Sequence, residues 1–294
     1  MKVLLIGAAG QLGSELSKVF ADTALYRADL DGADIQFDIT WDRDIDRCIR
    51  EEIRPDLVVN AAAEHHVPKC EERPHAAFAV NATAVQHTAR ACRDIGARMI
   101  HVSTDYVFGH GGHRPYVETD TPAPLSIYAA SKLAGEHLLA AELRDYAIVR
   151  SSGLYGTAPC RAKGGRNFVE LMLHLATTRP EVRVVTDEVL TPTYAVALAH
   201  QIRRIADDWE PGLYHATCNG ECSWYDFAKA VFEETDTRVN LQPATSAEFP
   251  SPVQRPSYSV LANKHLCDRG MDEMPEWREA LRTYLKERKA VRGA

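Results

Sequence analysis

Glycines at positions 7, 10 and 13 stand directly behind four apolar residues, Val3-Leu4-Leu5-Ile6, and directly before a helix-patterned stretch. An apolar run without polar alternation reads as a strand buried on both faces, as in a parallel sheet covered by helices. From Gln11 to Phe20, Leu12, Leu16, Val19 and Phe20 fall on one helical face. The glycines permit a tight strand-to-helix turn and let backbone amides approach a pyrophosphate at the helix N-terminus, whose partial positive charge favours an anion. This loop, Gly7, Gly10, Gln11, Leu12 and Gly13, is therefore a candidate dinucleotide-binding element.

The alternation continues. Ala24–Ala28 reads as a second strand, Asp44–Ile53 as a helix stopped before Pro55, and Leu57-Val58-Val59 as an apolar strand. A long helix is expected over 73–96, ending at Gly96, then a strand at Arg98–Val102. A loop follows over 109–127, then a helix carrying Tyr128 and Lys132, and a strand at Tyr146–Arg150. Beyond 150 the texture changes. Glycines and a proline mark an irregular stretch to Gly165, helices are expected at 167–177, 226–234 and 276–290, and four prolines between Pro243 and Pro256 exclude a regular helix or central strand. The pattern predicts an α/β protein: a Rossmann-type doubly wound parallel sheet with a smaller substrate-binding domain. The expected division gives 1–150, with a returning segment near 168–210, to the cofactor domain, and 151–167 with 211–294 to the substrate domain.

The chain of 294 residues carries 34 Lys and Arg against 41 Asp and Glu, a net charge of −7, which argues against nucleic acid or an anionic membrane as the main partner. No apolar run is long enough to span a membrane. The N-terminal apolar stretch is too short for a signal peptide, so a cytoplasmic location is the expectation. Seven scattered cysteines argue against a disulfide framework. Cys218 and Cys222, with His215 nearby, lack the spacing and second pair of a metal site, and no metal is expected.

Tyr128 and Lys132 stand one helical turn apart in Tyr-Ala-Ala-Ser-Lys, which places phenol and ammonium on one face. A free phenol, with a pKa near ~10, holds its proton too tightly for neutral-pH acid/base work. An adjacent cation would favour the phenolate. Ser103 and Thr104 end the preceding strand, where either hydroxyl could bind a substrate carbonyl as it becomes an alkoxide. Asn60-Ala61-Ala62-Ala63 ends another buried strand, its alanines leaving room for a cofactor. Asp29 and Asp31, behind the second strand, could meet ribose hydroxyls and favour NAD; Arg27 leaves NADP open.

Together these segments resemble the extended short-chain dehydrogenase/reductase superfamily and, within it, the dTDP-4-dehydrorhamnose reductase family. The resemblance rests on Gly7-Ala8-Ala9-Gly10-Gln11-Leu12-Gly13, Val59-Asn60-Ala61-Ala62-Ala63, Val80-Asn81-Ala82-Thr83, Ser103-Thr104-Asp105-Tyr106-Val107-Phe108, Tyr128-x-x-x-Lys132-Leu133-Ala134-Gly135-Glu136, Asn167-Phe168, Thr191-Pro192-Thr193, Gly212-Leu213-Tyr214-His215 and Arg255-Pro256-Ser257. It implies Thr104, Tyr128 and Lys132 as a catalytic triad, with NAD or NADP as cofactor and the C4 ketone of a nucleotide-linked 4-keto-6-deoxysugar as substrate. Tyr128 would donate the proton, Lys132 would poise it and hold the nicotinamide ribose, and Asn81 would support a proton relay. Asp38 and Ile39 would meet the adenine, and Ser103 would lie by the cofactor. Asp105, Tyr106, Gly153, Asn167 and Arg255 would lie on the substrate side, Arg255 as a diphosphate fork.

Two departures fall on that side. Gly153 stands where the family commonly has Trp, and Glu64-His65-His66-Val67-Pro68 replaces the usual His-Thr-Ala-Val-Asp. Arg161 and Lys163 lie in an inserted stretch and could meet phosphate. Two other readings stay open: an epimerase or dehydratase that retains NAD, and a non-catalytic nucleotide-binding subunit. Tyr106, standing where a dehydratase has Glu, argues against dehydration. A homodimer is left open.

Overall fold

The computed structural model describes residues 1–160 and 164–292. Arg161 and Lys163 are outside the described residues.

Seven parallel strands form the central sheet: β1 (Lys2–Ile6), β2 (Ala24–Asp29), β3 (Ile35–Gln36), β4 (Leu57–Asn60), β5 (Arg98–Thr104), β6 (Tyr146–Ser151) and a seventh, Gly212–His215. From one edge to the other the order is Gly212–His215, β6, β5, β4, β1, β2, β3. The order reverses beside β1, between β2 and β4, which makes the switch point of a doubly wound sheet. Side chains alternate strictly. Val3, Leu5, Leu57 and Val59 join the helices Gln11–Val19 and Ala195–Asp207 in one core, while Leu4, Ile6 and Val58 join Val85, Ala89 and Leu139 in the core on the other face. Burial on both faces explains why these strands read as continuous apolar runs.

A third core joins Tyr155, Val169, Met172, Val182 and Val184 to Phe227, Val231, Trp277, Leu281 and Tyr284. The expected domain division is corrected at two places. Phe168–Thr178 and Glu181–Val185, expected with the cofactor domain, pack in this third core; Ala195–Asp207 does return to the sheet, against Gln11–Val19. Gly212–His215, expected in the substrate part, pairs in parallel with β6 and completes the sheet.

Two expected helices contain wider turns. Asp42–Ile45 opens into a π-helical stretch at Asp46–Glu52, and the helix expected over 73–96 is broken into Pro74–Phe78, a π-turn at Ala79–Thr83 and Ala84–Ile95. Such π-turns concentrate at functional sites, and this one carries Asn81. No described helix is long and apolar enough to cross a membrane.

Candidate active site

Gly7, Asp29, Asn60, Thr104 and Ser151 all lie at or just beyond the carboxyl ends of neighbouring parallel strands, where doubly wound folds bind ligands. The three loop glycines differ in what holds them. Gly7 has φ +84°, and a Cβ there would meet Ala62 N at 2.7 Å; a Cβ at Gly13 would overlap the Gly7 carbonyl. Both are required by backbone packing. At Gly10 a Cβ would touch only Gly7 O, at 3.3 Å, and Gly10 provides no side-chain cap to the Gln11–Val19 helix. The open cradle is therefore at Gly10, over an uncapped helix N-terminus, and it fits a dinucleotide pyrophosphate.

Around it, Asp29 accepts from Ala9 N at 2.9 Å and Leu30 N at 2.8 Å, tying the end of β2 to the glycine turn. Asp31 is exposed in the following turn. Arg27 is engaged by Asp34, its Nε lying 2.8 Å from the carboxylate. Asp38 closes its own turn by accepting from the Thr40 amide and hydroxyl, and Ile39 is buried in the core. Gln11 sends its amide across to Ala158 O at 3.1 Å, and the Leu12 side chain is buried in the core. Ala61, Ala62 and Ala63 run past the glycine turn. Asn81 clamps them from behind: it accepts from Glu64 N at 2.9 Å and donates to Glu64 O at 2.9 Å and to Ser131 Oγ at 3.0 Å.

The Tyr128 helix, Ile127–Glu142, begins at Ser126, whose hydroxyl accepts from Ala129 N. The half-buried Tyr128 ring has Tyr106 packed edge-on to it at 5.9 Å, and the Thr104 hydroxyl is near enough to weaken the phenol's hold on its proton. Thr104 also donates to Asp105 Oδ1 at 3.0 Å and accepts from Tyr106 N at 3.2 Å. Asp105 is buried, and its other oxygen accepts from Ser152 at 2.8 Å and Ser259 at 2.6 Å. Burial raises its pKa to about 6, against the lowering effect of these hydroxyls. Its carboxylate thus holds Thr104 in place and joins β5 to the C-terminal segment.

Ser103, the alternative to Thr104, points elsewhere. Its hydroxyl donates to Glu136 at 2.5 Å, and the Glu136 carboxylate is gripped by Arg150 through two nitrogens, at 2.9 and 2.5 Å. This buried trio locks the Tyr128 helix onto β5 and β6 and leaves Thr104 as the hydroxyl beside Tyr128. Asn167 also departs from its expected place. It caps the Phe168–Thr178 helix, accepting from Glu170 N at 3.0 Å and donating to Gly156 O at 2.8 Å, so its amide serves the fold. Gly153 adopts φ +53°, and a Cβ there would meet Leu190 at 2.8 Å and Pro192 at 3.2 Å. Arg255 is exposed, and its charge reaches Tyr106 and Glu188.

The expected effect of Lys132 on Tyr128 is corrected by the geometry. Lys132 is buried, and its Nζ lies 3.1 Å from His101 Nε2 and 2.7 Å from Val102 O, turned into the protein. Burial holds the phenol above its ordinary pKa; the Thr104 hydroxyl lowers it, and the Asp105 carboxylate raises it further. Burial also pulls Lys132 down to about 8, opposed by Glu136. His101, Ser152 and Ser259 were not legible as site residues. The one available signal was that His101 and Ser103 are polar at alternate positions of the otherwise apolar run Met99–Ser103.

The RmlD substrate binding domain family matches residues 1–290. The spore coat polysaccharide biosynthesis protein SpsK of Bacillus subtilis is 38% identical over 298 residues, covering 99% of each chain. A dTDP-4-dehydrorhamnose reductase of Mycobacterium tuberculosis is 40% identical over 292 residues, covering 97% of this chain and 92% of that one. The solved structure of dTDP-4-dehydrorhamnose reductase from Bacillus anthracis, in complex with NADP, aligns with a TM-score of 0.89 at 36% identity, covering 97% and 99% of the two chains. By the family match over nearly its whole length and its identity to these relatives, the chain belongs to the RmlD substrate binding domain family, alongside the dTDP-4-dehydrorhamnose reductases.

Proposed function

We propose that the protein reduces the C4 ketone of a nucleotide-linked 4-keto-6-deoxysugar, using NADH or NADPH, as the dTDP-4-dehydrorhamnose reductases related to it are named for doing. The observation that carries this reading is that Tyr128 and the Thr104 hydroxyl come together at the end of β5, in the same parallel sheet whose first strand ends in the glycine turn.

Gly7, Gly10, Gly13 and the first turn of the Gln11–Val19 helix would hold the pyrophosphate. The bound reduced nicotinamide supplies the hydride that adds to C4. Tyr128 gives its proton to the ketone oxygen as that oxygen gains the electron pair of the C=O π bond, leaving a C–OH group and a phenolate. The Thr104 proton, shared in the resting site with Asp105, can then turn to the phenolate oxygen. Tyr128, kept protonated by burial, is poised as a donor, the direction that reduction requires. Arg255 is the candidate for the diphosphate of the sugar nucleotide. All seven cysteines are free and six are buried, as suits a reducing cytoplasm, where we place the protein.

The test is turnover with a dTDP-4-keto-6-deoxysugar and each reduced cofactor. The expected result is one reduced cofactor oxidised per ketone consumed. Product without net oxidation would instead establish a retained-NAD epimerase, and binding without turnover a regulatory subunit.

A further inference from the structure

His101 is fully buried in β5, and the reduction as written makes no use of it. Its surroundings fix where its proton sits. Asn60 Oδ1 accepts from Ala62 N at 3.1 Å, and reversing that amide would set donor against donor, so Asn60 Nδ2 faces His101 Nδ1 at 3.3 Å. An amide nitrogen only donates, so Nδ1 accepts and the neutral ring carries its proton on Nε2. An imidazolium would face donors on both sides, and burial pushes the ring well below its ordinary pKa.

Nε2–H points at Lys132 Nζ, 3.1 Å away. An ammonium has no lone pair to accept that proton, whereas an amine does. The amine still has hydrogens to donate to Val102 O at 2.7 Å. The run Asn60→His101→Lys132→Val102 therefore closes without conflict only when Lys132 is uncharged. The charged groups facing Lys132 do not oppose this strongly. Glu136, one turn along, is gripped by Arg150 and Ser103, and Tyr128 is a neutral phenol.

We propose that Asn60 and His101 favour the neutral amine of Lys132 in the cofactor-free protein, so that at alkaline pH its ammonium form is gained by proton uptake when Lys132 leaves His101. The functional consequence rests on Lys132 being the residue that supports Tyr128 in the proposed reduction. His101 is then a positioning residue, one that sets the charge state of Lys132 and touches no reacting atom.

The experiment needs no turnover. In cofactor-free protein with isotopically labelled lysine, the Lys132 side-chain NMR signal, assigned by its loss in Lys132→Met, is titrated with pH. The expected midpoint is at or below about 8. It should rise by about one pH unit or more in His101→Gln, whose amide oxygen can accept from an ammonium, and in Asn60→Ala, which lets the ring tautomer reverse. Calorimetry of NADPH binding at alkaline pH, in buffers of different ionisation enthalpy, should show net proton uptake in the wild type and less in both variants. A Lys132 midpoint near the ordinary lysine value, or one unmoved by both substitutions, overturns the proposal. Either result leaves the reductase reading intact, and absent turnover with a low Lys132 midpoint would sink that reading alone.

Discussion

Ser259 donates a 2.6 Å hydrogen bond to Asp105, although 154 residues separate them. The bond ties the C-terminal segment to the strand end that presents Thr104. Asp105 is thereby the point at which the sheet, the Thr104 hydroxyl and the C-terminal segment are held in one arrangement. The resemblance had suggested a carboxylate lining the sugar pocket; the structure gives that carboxylate three hydroxyl partners and buries it.

A pH-dependent stability difference follows for Asp105→Asn. Burial raises Asp105 to about 6, against an ordinary 3.8. Between these values the unfolded chain has lost a proton that the folded protein keeps, so this group's contribution falls as pH rises from about 4 to about 6 and stays low above. The expected cost is up to about 3 kcal/mol. Denaturant unfolding of both proteins at pH 4 and pH 7 should show the variant gaining on the wild type by about 1–3 kcal/mol at the higher pH. Parallel pH dependences would remove Asp105 as the cause. Turnover should drop in the variant at every pH, because Thr104 loses its anchor.

The glycine loop separates fold from ligand binding. Gly10→Ala brings a methyl against Gly7 O alone, at 3.3 Å, and should change unfolding free energy by no more than about 1 kcal/mol. NADPH affinity, measured by fluorescence titration, should nevertheless fall at least about tenfold, since the methyl stands in the cradle. Gly13→Ala overlaps the Gly7 carbonyl and should reduce stability and affinity together. Equal effects of the two substitutions would mean that the cradle is misplaced.

Gly153→Trp should not rebuild the indole wall common in the family. The position has φ +53° and is packed by Leu190 and Pro192, so a side chain there is strained as well as crowded. A loss of about 1–3 kcal/mol is expected from the backbone conformation alone, read from denaturant unfolding. A variant as stable as the wild type would show that the 190–192 segment yields easily.

How much of this was legible depended on whether a residue's role is local. The glycine loop, the apolar strands and the Tyr128–Lys132 pair declare themselves by spacing, because strand, turn and helix each have a period. The break at Asn81 did not, since a π-turn adds a residue to a helix without changing its composition. The place of Gly212–His215 in the sheet escaped because four residues that return after a long excursion are too few to show a strand period. Lys132 illustrates the limit best. Its spacing placed it beside Tyr128, but the direction of its amine was decided by Asn60 and His101 on two other strands, whose partnership no local pattern encodes.

Tyr128→Phe tests the central claim most directly. The substitution removes one oxygen and leaves the ring against Tyr106. With a dTDP-4-keto-6-deoxysugar and NADPH, kcat should fall by about 10²–10⁴-fold, while NADPH affinity stays within a few-fold of the wild type. A variant that turns over as fast as the wild type would show that the proton comes from elsewhere.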